Sequence, residues 1–277
     1  MISPTPNWLR IVLLILSFVS FIPQLRLLLL RHDASGISIY YVLFNLIGAT
    51  ELVTMSFYFL VNNSEASDVF VNSPPNTGDW LNLAQLGLVW ILWLFIFMAC
   101  LYYPSDNNRP GLRATIWAIY ISFLLISLVP LLIDALANDR NDEYHKWVGA
   151  IFHGIHSMFI NPSVTILGGA ALFVQAREIL SRPIGLPTSL SVVGLALQAA
   201  VFFLVALAWP GRLVFPWNEL GGRVTVGVLL TWYQLVGFVA VDNAVFALVQ
   251  AILLLVVKRR GHSGISTVVS GETEPLL

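Results

Sequence analysis

Seven stretches of this 277-residue chain stay apolar for about twenty residues or more, the length a helix needs to cross roughly 30 Å of hydrocarbon. They begin near Trp8, Ile37, Trp80, Ala114, Trp147, Leu186 and Val224, and end near Leu30, Val61, Tyr103, Ala137, Ala176, Ala208 and Val257. A segment surrounded by lipid has to satisfy its own backbone hydrogen bonds, so runs of this length read as transmembrane helices. The chain is therefore expected to be an all-α membrane protein with seven transmembrane helices. A hydrophobic content of 57%, a charged content of 10% and a mean hydropathy of +0.81 agree, since a soluble domain carries about 25% charge. The fifth and seventh runs exceed the span and are expected to tilt, kink or project. Trp8, Trp80, Trp147 and Trp209 sit at run ends, where amphipathic rings favour the interface.

Several classes fall away on composition. A formal net charge of -1 gives no basic field for nucleic acid. The single cysteine, Cys100, permits neither an internal disulfide framework nor a thiolate metal cluster. The first run continues apolar to Leu30, and Phe18 spoils the small-residue cleavage pattern before Ser20, so it reads as a permanent helix rather than a signal peptide. Phosphate loops, nucleophile elbows and metalloprotease motifs are missing from the sequence, and no enzyme activity, cofactor or metal is expected.

The cations suggest an orientation. A luminal amino terminus places Arg26, Arg31, Arg109, Arg113, Arg177, Arg182, Lys258, Arg259 and Arg260 on the cytosolic side, against Arg10, Arg140, Lys146, Arg212 and Arg223. Asn62-Asn63-Ser64 is then a luminal sequon close to the membrane. The carboxyl-terminal tail becomes cytosolic, and its Glu272, Leu276 and Leu277 resemble the acidic dileucine signal that clathrin adaptors read for delivery to vacuoles or lysosomes.

Within the first run, Pro23 and Gln24 interrupt an otherwise apolar helix. An internal proline removes a hydrogen bond and clashes with the preceding turn, which bends the helix. The segment from Gln24 to Arg31 reads Q-x-R-x-x-x-x-R, and so does Gln175 to Arg182 after the fifth run. Aligned with a two-residue deletion, Gly36-Ile37 faces Gly185-Leu186, and Asn45 or Ala49 falls near Gly194 or Gln198. Copies four helices apart cross the membrane in the same direction. The expected plan is two parallel three-helix bundles joined by a linker helix: residues 1–113, a linker at 114–137, 138–257, and a cytosolic tail at 258–277. Parallel repeats of this kind are a transporter plan with the solute held between halves.

Pro23-Gln24, Arg31, Ser35-Gly36-Ile37-Ser38, Leu43, Leu46 and Gly48 resemble the repeat of the PQ-loop family. That family includes cystinosin-like lysosomal exporters, vacuolar amino acid exporters, SWEET sugar transporters and the KDEL receptor. The resemblance implies a gating hinge at Pro23 and Gln24, with Gln175 as its counterpart. The second copy departs from the pattern, because Val174 stands where the proline should be and Pro183 and Pro187 crowd the loop. A helix break at Asn161-Pro162 is one way the second half could bend instead.

Polar groups inside the runs are costly and mark sites. Asp242 lies well inside the seventh run, with Phe246 and Gln250 on its face at i+4 and i+8. It is the expected proton-coupling group, and it resembles the acid of the last helix in cystinosin-like exporters; hydrogen bonding to Asn243 for packing alone is the plainer reading. Glu51 is positioned to pair with Asp242 or with a cationic solute. Asn45, Glu51, Asn161, Gln198 and Asn243 are the expected substrate pocket. Amides offer donors and acceptors without fixed charge, which suits a zwitterion or a polyol. His153 and His156, at i and i+3, form a proton relay at the rim or simply hydrogen bond there. Two such histidines do not make a metal site, which needs three or four ligands.

The sequence thus reads as a proton-coupled secondary transporter exporting a small polar solute, an amino acid by preference, from vacuole or lysosome to cytosol. Its expected partners are membrane lipid, the solute with protons, and a clathrin adaptor at the tail. The alternative on the same helices is a sorting or signalling receptor of the KDEL-receptor type without solute flux, since fold alone does not decide function.

Overall fold

The computed structural model describes residues 5–63, 69–105, 110–136, 143–183, 186, 188–215 and 225–271. Among the described residues, seven helices are long and apolar enough to cross a membrane. They are α1 (Asn7–Arg31), α2 (Ile39–Asn62), α3 (Thr77–Tyr102), α4 (Gly111–Leu136), α5 (Lys146–Ser181), α6 (Val192–Gly211) and α7 (Val226–Arg260). Helical backbone continues beyond α7 to Gly271. The dileucine residues Glu272, Leu276 and Leu277, together with Ser64, Arg109, Arg140, Gly185, Pro187 and Arg223, lie outside the described residues.

Local sequence accounts for the helix ends. α3 starts at a capping box in which Asn76 Oδ1 accepts from the N–H groups of Gly78 and Asp79 at 2.7 and 3.2 Å, while Asp79 Oδ2 accepts from Asn76 N–H at 2.9 Å. α1 stops where His32 turns left-handed, at φ 49°, and donates its N–H to Leu28 O. α6 begins at Val192, capped by the Ser191 hydroxyl, and not near Leu186 as hydropathy suggests. The apolar look of that stretch is misleading, because the backbone of Ser189 and Ser191 is spent on a side chain of α1 described below. α5 runs past Ala176 to Ser181 and ends where Arg182 becomes extended before Pro183.

Among the described residues three helices contain a π turn: Tyr58–Asn62 in α2, His156–Ile160 in α5 and Tyr233–Gly237 in α7. The one in α5 falls just before Pro162, which has no N–H to give to the preceding turn. The helix therefore continues through Asn161-Pro162, where a break was one of the alternatives, and the widened turn absorbs the mismatch.

α1 packs on α3 and α6, α2 on α3 and α5, α5 on α7, and α6 on α7; α4 packs mainly on α2. Only 22% of the most apolar window of α4 is buried, which leaves most of that helix facing lipid. At the centre an aromatic cluster joins four helices. Phe21 of α1 meets Trp93 of α3 edge-on at 5.6 Å and Phe202 of α6 at 6.1 Å, and Phe246 of α7 meets Phe202 at 4.7 Å. Gly48 lets α2 approach Val164 of α5, and Gly168 lets α5 approach Val245 of α7. These close crossings frame the polar site.

Candidate functional site

The two glutamines of the repeated motif are used in the same way. Gln24, in α1, donates from Nε2 to Ser189 O at 2.9 Å and accepts at Oε1 from Ser191 N–H at 2.8 Å. Gln175, in α5, donates to Gly36 O at 2.8 Å and accepts from Ser38 N–H at 2.9 Å. Each amide therefore caps the loop that leads into a helix of the other set: α6 for Gln24, α2 for Gln175. Both glutamines are buried, so these four bonds replace water for the loop backbone. Ser189 N–H to Ser35 O at 3.0 Å and Arg31 Nη1 to Thr188 O at 2.7 Å tie the two loops together. The geometry corrects the loop alignment. Gly36 corresponds to Ser189 and Ser38 to Ser191, a two-residue insertion in the second loop rather than a deletion. Asn45 and Gln198 then fall at the same distance from their respective clasped serines.

Gly36 is held at φ +80°, and a Cβ there would lie 2.6 Å from Thr188 Oγ1 and 2.8 Å from Arg182 Nη1. Gly36→Ala is expected to cost about 1–2 kcal/mol from the left-handed backbone alone, measured as a fall in the unfolding temperature of the purified protein. An unchanged unfolding temperature would show that the loop relaxes without loss.

A cavity opens between α2, α3, α5, α6 and α7, and ≈ 60 Å³ of it admits the centre of a water molecule. Its polar lining is Asn45, Thr165, Asp242 and Asn243, set among Phe44, Trp93, Phe202 and Phe246. Thr165 Oγ1 donates to Asp242 Oδ1, and Tyr233 Oη lies 2.7 Å from the same hydroxyl, so Tyr233 donates to Thr165. Asp242 Oδ2 has no partner among the described residues. Asn45 and Asn243 each give an amide hydrogen to the carbonyl one turn back, Tyr41 O at 2.7 Å and Val239 O at 2.6 Å. That fixes both side chains and leaves each with a carbonyl oxygen as acceptor and a second N–H as donor. With the second Asp242 oxygen, the wall offers both acceptors and donors and suits a ligand that carries both.

The remaining expected pocket residues lie elsewhere. Glu51 is outside the cavity lining and fully buried; its Oε1 meets His156 Nδ1 at 2.7 Å, and its Oε2 has no partner among the described residues. His156 stacks on Phe152 at 4.0 Å, and His153 packs against Tyr58 and Phe59. Asn161 is buried with neither side-chain atom partnered among the described residues, one turn before Thr165, which also approaches its carbonyl at 3.1 Å. Gln198 lines a smaller cavity with Gln24, Tyr41 and Trp93, toward the clasped loops. Tyr41 Oη donates to Gln250 Oε1 at 3.0 Å in the same region. Among the described residues, no group of three or more His, Cys, Asp or Glu converges to hold a metal.

Sequence reasoning did not find Thr165 as the partner of Asp242, nor Ser189 and Ser191 as the partners of Gln24. The signal for the second pair was present: Ser189-Leu190-Ser191 precedes α6 as Gly36-Ile37-Ser38 precedes α2.

Helices, cavity and buried polar side chains together define a polytopic α-helical membrane protein with a polar site between its helices. The chain carries a PQ loop repeat, matched over residues 6–67, which takes in α1, the Gly36 loop and α2. No curated protein and no solved structure matches the chain.

Proposed function

We propose that the protein is a proton-coupled secondary transporter that moves a small polar solute, of the amino acid class, from the lumen of a vacuole or lysosome to the cytosol. The observation that carries this reading is Asp242, a carboxylate in a cavity between helices, with one oxygen held by Thr165 and the other open. A buried carboxylate that faces a cavity is where a membrane protein keeps a titratable proton. The carbonyl oxygens of Asn45 and Asn243 beside it suit the ammonium group of an amino acid, and their second N–H groups suit its carboxylate. In this mechanism the lumen supplies a proton to Asp242 and the solute to Asn45 and Asn243. Release follows when the glutamine clasps loosen and the helices bend at Pro23.

The packing supports two equivalent halves. Exchanging α1, α2 and α3 for α5, α6 and α7 turns the α1–α3 contact into α5–α7, α2–α3 into α6–α7, and α1–α6 into α2–α5, every one of which is present. The exchange also turns one glutamine clasp into the other. The cation bias supports a luminal amino terminus and a cytosolic carboxyl terminus, and the dileucine-like tail suits adaptor-mediated delivery.

The test is a screen of radiolabelled amino acids on the full chain in proteoliposomes under an imposed pH gradient. Solute uptake that follows the gradient is expected. Saturable, pH-dependent binding without flux in the same vesicles would replace transport by the sorting-receptor reading. Pro23→Leu restores the hydrogen bond that the proline removes, and is expected to slow turnover several-fold while leaving solute affinity nearly unchanged. Equal rates in variant and parent would leave Pro23 only a static bend.

A further inference from the structure

A second buried polar cluster lies on the amino-terminal face, away from the Asp242 cavity. Arg10, early in α1, and Arg212, just past α6, are only 5% and 2% exposed. Arg212 donates from Nη1 to Gln85 Oε1 at 2.6 Å, and Gln85 donates in turn to Ser17 at 2.9 Å. The guanidinium carbon sits 4.9 Å from the centre of the Trp209 ring. The opposite edge of the group, Nε and Nη2, has no partner among the described residues. Arg10 gives Nε to Thr5 O at 3.2 Å, and its Nη1, beside Gly78, has no partner among the described residues.

Charge is unbalanced here as well as hydrogen bonding. Asp79, buried next to Gly78, accepts from Asn72 and from the Asn76 backbone, and its charge acts on Arg10, which leaves one of the two cations without a counter-charge among the described residues. Burial, with a smaller contribution from the Arg10 charge, pushes the Arg212 guanidinium down to about 10. Water would satisfy the free N–H groups but would not offset the excess buried cation. The vacant Nε and Nη2 edge is the one that receives a carboxylate side-on through two parallel N–H···O bonds.

We propose that Arg212 and Arg10 form a carboxylate-binding site on the amino-terminal face, with the Arg212 Nε and Nη2 edge as its fork and the Arg10 Nη1 as a third donor. The ligand is a small organic anion, or the carboxylate end of a larger one. The site is separate from the cavity, and its existence does not depend on transport.

The experiment uses the full-length protein in detergent. Thermal unfolding and tryptophan fluorescence are followed while sodium acetate replaces sodium chloride at constant pH and ionic strength, with a parallel arm in inorganic phosphate. A saturable rise in unfolding temperature is expected, half-complete at lower acetate than phosphate. Arg212→Lys keeps the charge and loses the fork, and should raise the half-saturating acetate by about ten-fold or more, as for one lost charge-assisted hydrogen bond. The same midpoint in the lysine variant would overturn the assignment. Should that variant fail to fold, the parent titration decides alone. A linear response without saturation removes the site, and half-saturation at lower phosphate than acetate removes the carboxylate.

Discussion

Asp242→Asn is expected to reduce solute-driven proton uptake in proteoliposomes to the level of empty vesicles while solute exchange between two loaded compartments persists. Asparagine has the shape of aspartate, and its carbonyl oxygen can still accept from Thr165, so the helix contacts around the cavity survive. What the variant loses is the group that takes and releases a proton. Exchange without a net proton cycle needs only the wall of Asn45 and Asn243, which the substitution leaves in place. Proton uptake equal to that of the parent would assign coupling to another group. Glu51, paired with His156 outside the cavity, would be the first to examine.

The second large effect is expected at the glutamine clasps. Gln24→Leu takes the amide away from Ser189 O and Ser191 N–H, and Gln175→Leu takes it from Gly36 O and Ser38 N–H. A buried backbone group left unsatisfied costs about 1–3 kcal/mol, so each variant should lose about 2–6 kcal/mol, toward the lower end where water reaches the loop. Thermal unfolding of the purified variants measures this. The two losses should be similar, because the donor and acceptor geometry is the same at both sites. A large loss at Gln24 beside a negligible one at Gln175 would mean that the halves are not equivalent in energy. Gln175 would then be a relic of the repeat.

Much of this was legible in the chain, for reasons that differ from site to site. The helices were visible because lipid permits so few backbone conformations that hydropathy alone marks them. Asp242 stood out because a carboxylate deep in an apolar run is costly, and the structure does place it on a cavity. Gln24 and Gln175 were found as a pair by their shared flanking arginines, although not the manner of their use. Hydropathy misplaced the start of α6, since Leu186 and Leu190 look helical while the neighbouring backbone is committed to Gln24. The partner of Glu51 was hidden for a related reason. His156 lies 105 residues away on α5, and only the crossing of α2 with α5 brings the two together. Arg212 drew no attention as a site, because an arginine just past a helix end reads as an interfacial charge. Its burial comes from Trp209 and Gln85, which sequence spacing does not join.

The crosswise glutamine bonds also bear on how the chain reaches this state. Gln24 is synthesised long before Ser189, 165 residues downstream, and Gly36 long before Gln175, 139 residues downstream. Neither bond can form while the first three helices are alone in the membrane, and closing loops of that length carries an entropic cost that local contacts do not. The loops should therefore be joined late in folding, after the individual helices are in place. The seam that assembly closes last is then the one that the proposed cycle opens, and a chain arrested before α5 would display the unsatisfied ends of that seam to the quality-control machinery of its membrane.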